Sequence, residues 1–248
     1  LADPMTRALE LAREAAEAGE VPVGAVVVDP ETGEIVAEGA RKVVAQLGMP
    51  APKGGRMPVV VDPHLAGVFA HEAVGHASEA DLVAMGESCF AGRLGETIGY
   101  EGLTVIDDST IEGAFGSIPY DDNGVAGQSK TLIEGGRLVS LMADRERAAQ
   151  LGIEANGACR AQDFHNRPLV RMSNTFIEPG EHAEEELFEG IKEGIYCAGS
   201  RGGQVDTARG TFLFNAQDAF CIENGEITQP LKDVSLSGDI LSTLHNID

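Results

Sequence analysis

His71, Glu72 and His76 are the residues whose types and spacing point most directly to chemistry. Two imidazoles can hold a metal ion through their ring nitrogens, and a carboxylate beside the first can take a proton from an adjacent water. The familiar helical arrangement is HExxH, with histidines four residues apart on one face. Here the separation is five. On a regular α-helix five residues turn ~500°, which leaves the side chains ~140° apart, too far to share an ion. A π turn, bonded i→i+5, brings them back to one side, and such turns favour functional sites. The expectation is a helix distorted at Gly75, where no Cβ resists the distortion. The competing reading is two unrelated histidines on an ordinary buried helix. Glu79 and Asp81 follow closely and offer carboxylates to orient a ligand ring.

The elements around this run must position it. Val59 to Val61 reads as a short buried strand stopped by Asp62-Pro63, and Pro63 to Ala84 as the helix that carries the histidines. Upstream, Pro4 to Ala18 reads as a helix, with Asp3 as its cap and Gly19 as its stop. Val21 to Val28 and Glu34 to Glu38 read as a hairpin around Asp29-Pro30, and Arg41 to Leu47 as a short helix. Residues 50–58, with three Pro and two Gly, are the best candidate boundary. Beyond Gly86, β-like runs alternate with turns: 103–107, 124–128, 130–133, 137–141 and 169–177. Asp144 to Leu151 and Ala183 to Gly190 read as helices, the latter opened by acidic residues that suit the helix dipole. The last third reads as a meander of strands over 203–206, 211–215, 219–223 and 226–228, with Asn224-Gly225 as a tight turn. The fold class expected is α+β: a small helix–hairpin unit over 1–40, then a metal-site helix and a β-rich body over 41–248.

The chain of 248 residues carries a formal net charge of −22. Such a surface repels phosphate backbones and argues against nucleic-acid partners. No apolar run approaches ~18 residues, which argues against a membrane span. Four scattered Cys with no CxxC pair, and no signal-peptide pattern, suit a cytoplasmic chain with free thiols.

The string HEAVGHASEAD, residues 71–81, closely resembles the core motif of the TldD/PmbA family of zinc-dependent peptidases. KGGRMPVVVDP (53–63), GGQVDTARGTFLF (202–214), IENGEITQPLK (222–232) and LSGDIL (236–241) resemble further segments of that family in the same order. The resemblance covers roughly residues 41–248. It implies a Zn²⁺ cofactor with His71 and His76 as ligands and Glu72 as general base. It further implies hydrolysis of small or unfolded peptides by metal-activated water, and a homodimer or a heterodimer with a related chain. Family members take a third ligand, a Cys, from a segment following the region matched by 236–248, and this chain stops at Asp248. A non-catalytic peptidase-like subunit, or an incomplete chain, is therefore the alternative.

Met5 to Gly39, especially EVPVGAVVVD (20–29), resembles the opening of the tRNA adenosine/cytidine deaminase superfamily. That chemistry needs a His-Ala-Glu or Cys-Ala-Glu helix and a PCxxC turn. Neither occurs, so a nucleoside or tRNA deaminase relative without its metal motif is a further alternative.

Cys197, Cys221, His64 and His165 are conceivable extra ligands, but small buried thiols and ordinary histidines are the simpler reading. Asp107-Asp108 and Asp121-Asp122 read as solvated acid pairs. Gly113–Gly116 and Gly199–Gly203 read as places of close backbone packing. Arg201 and Arg209 are weak candidates for a peptide carboxylate, since either can simply balance local acids.

Overall fold

The computed structural model describes Pro4–Glu17, Val28 and residues 48–247. The expected hairpin over 21–38 and helix over 41–47 lie outside the described residues, Val28 apart. The first helix, α1, spans Pro4–Glu17.

Two sheets flank the segment with the histidines. In the larger sheet, β1 (Val59–Val61) runs parallel to β8 (Glu193–Asp206), and β8 is antiparallel to β9 (Thr211–Glu223). The far edge of β9 is shared. β10 (Glu226–Leu231) pairs with its C-terminal half and β11 (Ser235–Asp239) with its N-terminal half. The second sheet has the order β4 (Arg137–Leu138), β3 (Ser129–Glu134), β2 (Val105–Asp108), β7 (Thr175–Ile177). A two-stranded pair, β5 (Cys159–Arg160) with β6 (Leu169–Val170), completes the β structure. This is the expected α+β architecture with a β-rich body.

Several elements differ in extent from the sequence reading. The strands expected over 211–215 and 219–223 are one strand, β9, because β8 supplies a continuous partner. β8 itself runs ten residues further upstream than 203, through Gly199–Gly203, where the register shifts. Gly203 faces β9 so closely that a Cβ there would lie 2.4 Å from the Phe214 ring. The 169–177 run divides into β6 and β7, which belong to different sheets. The 124–128 run forms only an isolated bridge, Tyr120 with Ala126. Ala183 to Gly190 is a 3₁₀ turn over Glu184–Phe188 rather than an α-helix. The tight turn at Asn224-Gly225 is present, both residues having positive φ (52° and 85°), as a type I′ hairpin needs.

The expected single helix over 63–84 is four pieces: α2 (Pro63–Phe69), a π turn (Ala70–Gly75), a 3₁₀ turn (His76–Ser78) and α3 (Ala80–Met85). Glu79 between the last two is extended. α2 begins where the sequence put it. Asp62 Oδ1 accepts the Leu65 amide at 2.8 Å as an N-cap, and its Oδ2 accepts the Gly199 amide of β8 at 3.0 Å. One side chain therefore closes the helix end and ties it to the larger sheet. α2 and the π turn touch β8, while the π turn also touches β2 and β7 of the other sheet. Ala70, Ala73, Val74 and Ala77 are fully buried between them. Two further helices follow: α4 (Arg145–Leu151), capped by Asp144, and α5 (Ile240–Leu244), capped by Asp239. No helix among the described residues is long and apolar enough to cross a membrane.

Candidate metal centre

The π turn resolves the spacing problem. The His76 amide donates to the carbonyl of His71, five residues back, so the hydrogen bond that defines the turn joins the two histidines themselves. Their rings meet edge to face at 5.0 Å between centroids. One ligand atom from each of His71, Glu72 and His76 lies within 4.8 Å of the others. Among the described residues this is the only set of three or more potential ligands so gathered. Zinc–nitrogen bonds of ~2.0–2.1 Å need ligand atoms ~3.3 Å apart in a tetrahedral site, so a modest inward rotation of the rings suffices. Nitrogen donors with a carboxylate at hand are a donor set that zinc accepts.

Gly75 matters for a different reason from the one expected. Its backbone is ordinary right-handed helix (φ −56°, ψ −61°), which any residue adopts. The constraint is the neighbour. A Cβ on Gly75 would sit 2.0 Å from Met172 Sδ and 3.1 Å from its Cγ. Gly75→Ala is expected to displace the Met172 side chain and cost about 1–3 kcal/mol as overpacking. Met172→Ala in the same chain should recover part of that cost in urea unfolding. Unchanged stability of the single variant would refute the packing explanation.

The two histidines have opposite electrostatics. His71 is exposed at its surface, yet the surrounding protein displaces enough water to lower its pKa, and neighbouring His76 lowers it further. His76 is raised, first by its side-chain contact with Glu79, against the opposing effect of burial. His76 Nε2 faces Glu72 Oε2 at 3.9 Å, while Nδ1 faces Glu79 Oε1 at 3.4 Å. Glu79 is thus beside the ring of a candidate ligand, as its position in the sequence suggests. Asp81 is not; its carboxylate accepts the Leu82 amide.

A buried polar network lies in the sheet beneath. Asp107, fully buried on β2, accepts Lys130 Nζ at 2.9 Å, Ser173 Oγ at 2.6 Å, the Ser173 amide at 2.7 Å and Thr175 Oγ1 at 2.8 Å. The solvated-loop reading fails for it because β3, β7 and the loop before β7 supply it with donors. Asp121 is likewise buried, and it accepts the amides of Asn123, Val125 and Cys159. Asp107 holds Ser173, and Ser173 directly follows Met172 and Arg171, the residues that reach Gly75 and Glu79. Nothing local in the sequence marks the Asp107 network, since its donors lie 23 to 68 residues from Asp107.

The other candidates stay apart from the centre. Cys197, Cys221, His64 and His165 are not in the ligand cluster. Arg201 lies 3.8 Å from Asp233 and donates to the Ala216 carbonyl, and Arg209 pairs with Asp206, which is the charge-balancing role. Burial pushes the Cys159 thiol up to about 11 and Cys197 up to about 12, from an ordinary 9.0. Both should therefore resist thiol reagents at pH 8 until the chain is denatured. Because the folded values are raised, their contribution to stability is complete below pH 9 and is lost as pH climbs through 11–12. Rapid labelling of either thiol in the folded chain would contradict this.

Comparison with known proteins agrees with the architecture. A metalloprotease of Methanocaldococcus jannaschii is 57% identical over 199 residues, covering 80% of this chain and 44% of that protein. A zinc metalloprotease TldD homolog of Saccharolobus solfataricus is 39% identical over 219 residues, covering 88% and 49%. The chain therefore spans about half the length of these curated relatives. Among solved structures, a Thermotoga maritima protein described as a modulator of DNA gyrase superposes with a TM-score of 0.73 at 26% identity, covering 88% of this chain and 50% of that one. TldE of Thermococcus kodakarensis gives 0.69 at 23%, covering 83% and 48%, and shares the fold. These matches lend no support to the deaminase resemblance of Met5 to Gly39. Residues 54–248 match the PmbA/TldA metallopeptidase C-terminal domain, and with these relatives they show that the chain belongs to the PmbA/TldD metallopeptidase family.

Proposed function

We propose that this chain holds Zn²⁺ through His71 and His76 and hydrolyses small or unfolded peptides with Glu72 as general base. The observation that carries this is the π turn, which gathers the three side chains within 4.8 Å. The metalloprotease names of the relatives support a metal, and the Saccharolobus name supports zinc.

A bound zinc ion supplies Lewis acidity toward water and toward the scissile carbonyl. The chain's own residues do the rest. His71, kept neutral by its surroundings, and His76 present ring nitrogens on one side of the turn. Glu72, half-buried between them and solvent, takes a proton on its carboxylate from the attacking water and passes it to the departing amine. Catalytic zinc usually has three protein ligands. Among the described residues no Cys joins this cluster, so the third donor in this reading comes from elsewhere, as the family resemblance implies. Pairing with a second copy or a related chain belongs to the same proposal.

Metal analysis after dialysis against zinc tests it. The chain should retain about one ion, and His71→Ala with His76→Ala should retain none. Equal zinc in both would defeat the assignment.

A further inference from the structure

We infer that Glu79 is a positioning residue for His76, with its Oε1 taking the Nδ1–H of the ring so that Nε2 is left bare toward His71 and Glu72. The inference deepens the metal reading above and rests on it for its consequence, though not for the ring geometry itself.

Three observations converge. First, the 3₁₀ turn over His76–Ser78 eclipses positions three apart, which stacks Glu79 directly on His76. The Glu79 amide donates to the His76 carbonyl at 3.2 Å, and Glu79 is then held by a parallel bridge to Met142. The carboxylate is placed by backbone bonds on both sides and has little freedom to leave.

Second, the carboxylate is buried and half-satisfied. The Glu79 side chain is 2% exposed. Its Oε2 lies 3.5 Å from Nη1 of Arg171, which is anchored through the Val170 carbonyl at 2.7 Å. Its Oε1 has no formed hydrogen bond, and His76 Nδ1 lies 3.4 Å away, slightly beyond bonding range. A buried carboxylate oxygen without a donor is costly, and the imidazole N–H is the donor facing it. Contacts of this kind commonly tighten only when the site is filled.

Third, the ring is used at both ends. With Nδ1 turned to Glu79, Nε2 is the nitrogen 3.9 Å from Glu72. A ligand imidazole needs its second nitrogen protonated and held, and a carboxylate partner fixes the tautomer and raises ligand basicity. Arg171 supplies a counter-charge beside Glu79, from a segment 92 residues away.

The test reads the tautomer directly, without metal. Long-range ¹H–¹⁵N correlation of the imidazoles in the labelled, metal-free chain, at a pH where His76 is neutral, should show the proton on Nδ1, with His76 assigned by its loss in H76A. In E79L the ring should revert to the Nε2–H form that free histidine favours in water. Zinc affinity, measured by competition with a chromophoric chelator, should fall about 10–100-fold in E79L. E79Q, nearly isosteric, should keep the tautomer and weaken zinc, and it serves if E79L does not fold. A His76 ring in the Nε2–H form in the parent, the same tautomer in parent and E79L, or undiminished zinc affinity in both variants overturns the inference. A parent chain with the Nδ1–H ring but no zinc uptake would sink the metal reading, while the ring placement itself would stand.

Discussion

Glu72→Gln is expected to lower peptide hydrolysis by about 10²–10⁴-fold, the range general-base catalysis contributes, while zinc stays bound. The amide is nearly isosteric and keeps an acceptor oxygen, but it cannot accept the water's proton at neutral pH. Both imidazoles remain, and the π turn does not depend on the Glu72 side chain, since its defining bond runs between backbone atoms of His71 and His76. The substitution therefore separates chemistry from metal binding. Three measurements on zinc-loaded protein check it: cleavage of unstructured peptides, bound zinc, and chemical denaturation. Lost cleavage with zinc and stability intact supports the base assignment. Unchanged cleavage would remove Glu72 from the mechanism, and no cleavage by the parent would favour a non-catalytic, peptide-binding role.

Asp107→Ala should be the most destabilising single change away from the histidines, by about 3–5 kcal/mol, because it leaves Lys130 charged and buried without its partner. Lys130 Nζ would keep only the Gln128 carbonyl at 3.1 Å, and the Ser173 and Thr175 donors would lose their acceptor. The effect should reach the metal centre. Ser173 releases the segment that sets Met172 against Gly75 and Arg171 against Glu79, so weaker zinc binding should accompany lower stability. The double variant Asp107→Leu, Lys130→Met should recover most of the stability, since well-packed apolar replacements of a buried pair are often neutral or better. Urea unfolding of the parent, single and double variants checks this. A single variant within 1 kcal/mol of the parent would show that the pair is not holding the three strands together.

The local features were legible in the sequence for physical reasons. Five-residue spacing between two potential ligands left only a π turn as a helical solution, and the structure has that turn. Asp62-Pro63 announced a capped helix start, and Asn224-Gly225 a hairpin, because both depend on the φ preferences and side-chain bonds of neighbouring residues. Strand lengths were less legible. β9 runs unbroken through Ala216-Gln217-Asp218 because β8 continues alongside it, and a partner's length is not encoded locally.

By itself, then, the sequence determined which side chains can meet an ion, Glu72 beside them, and the helical distortion that their spacing demands. Tertiary structure alone decided what crowds a Cβ at Gly75, why Asp107 is buried and bonded rather than solvated, and which cation faces Glu79. Met172, Lys130 and Arg171 answer those questions, and they lie 97, 23 and 92 residues from the groups they serve. Backbone propensity and periodicity act over a few residues, whereas a packing contact or a buried ion pair exists only once distant strands have been brought to the same place.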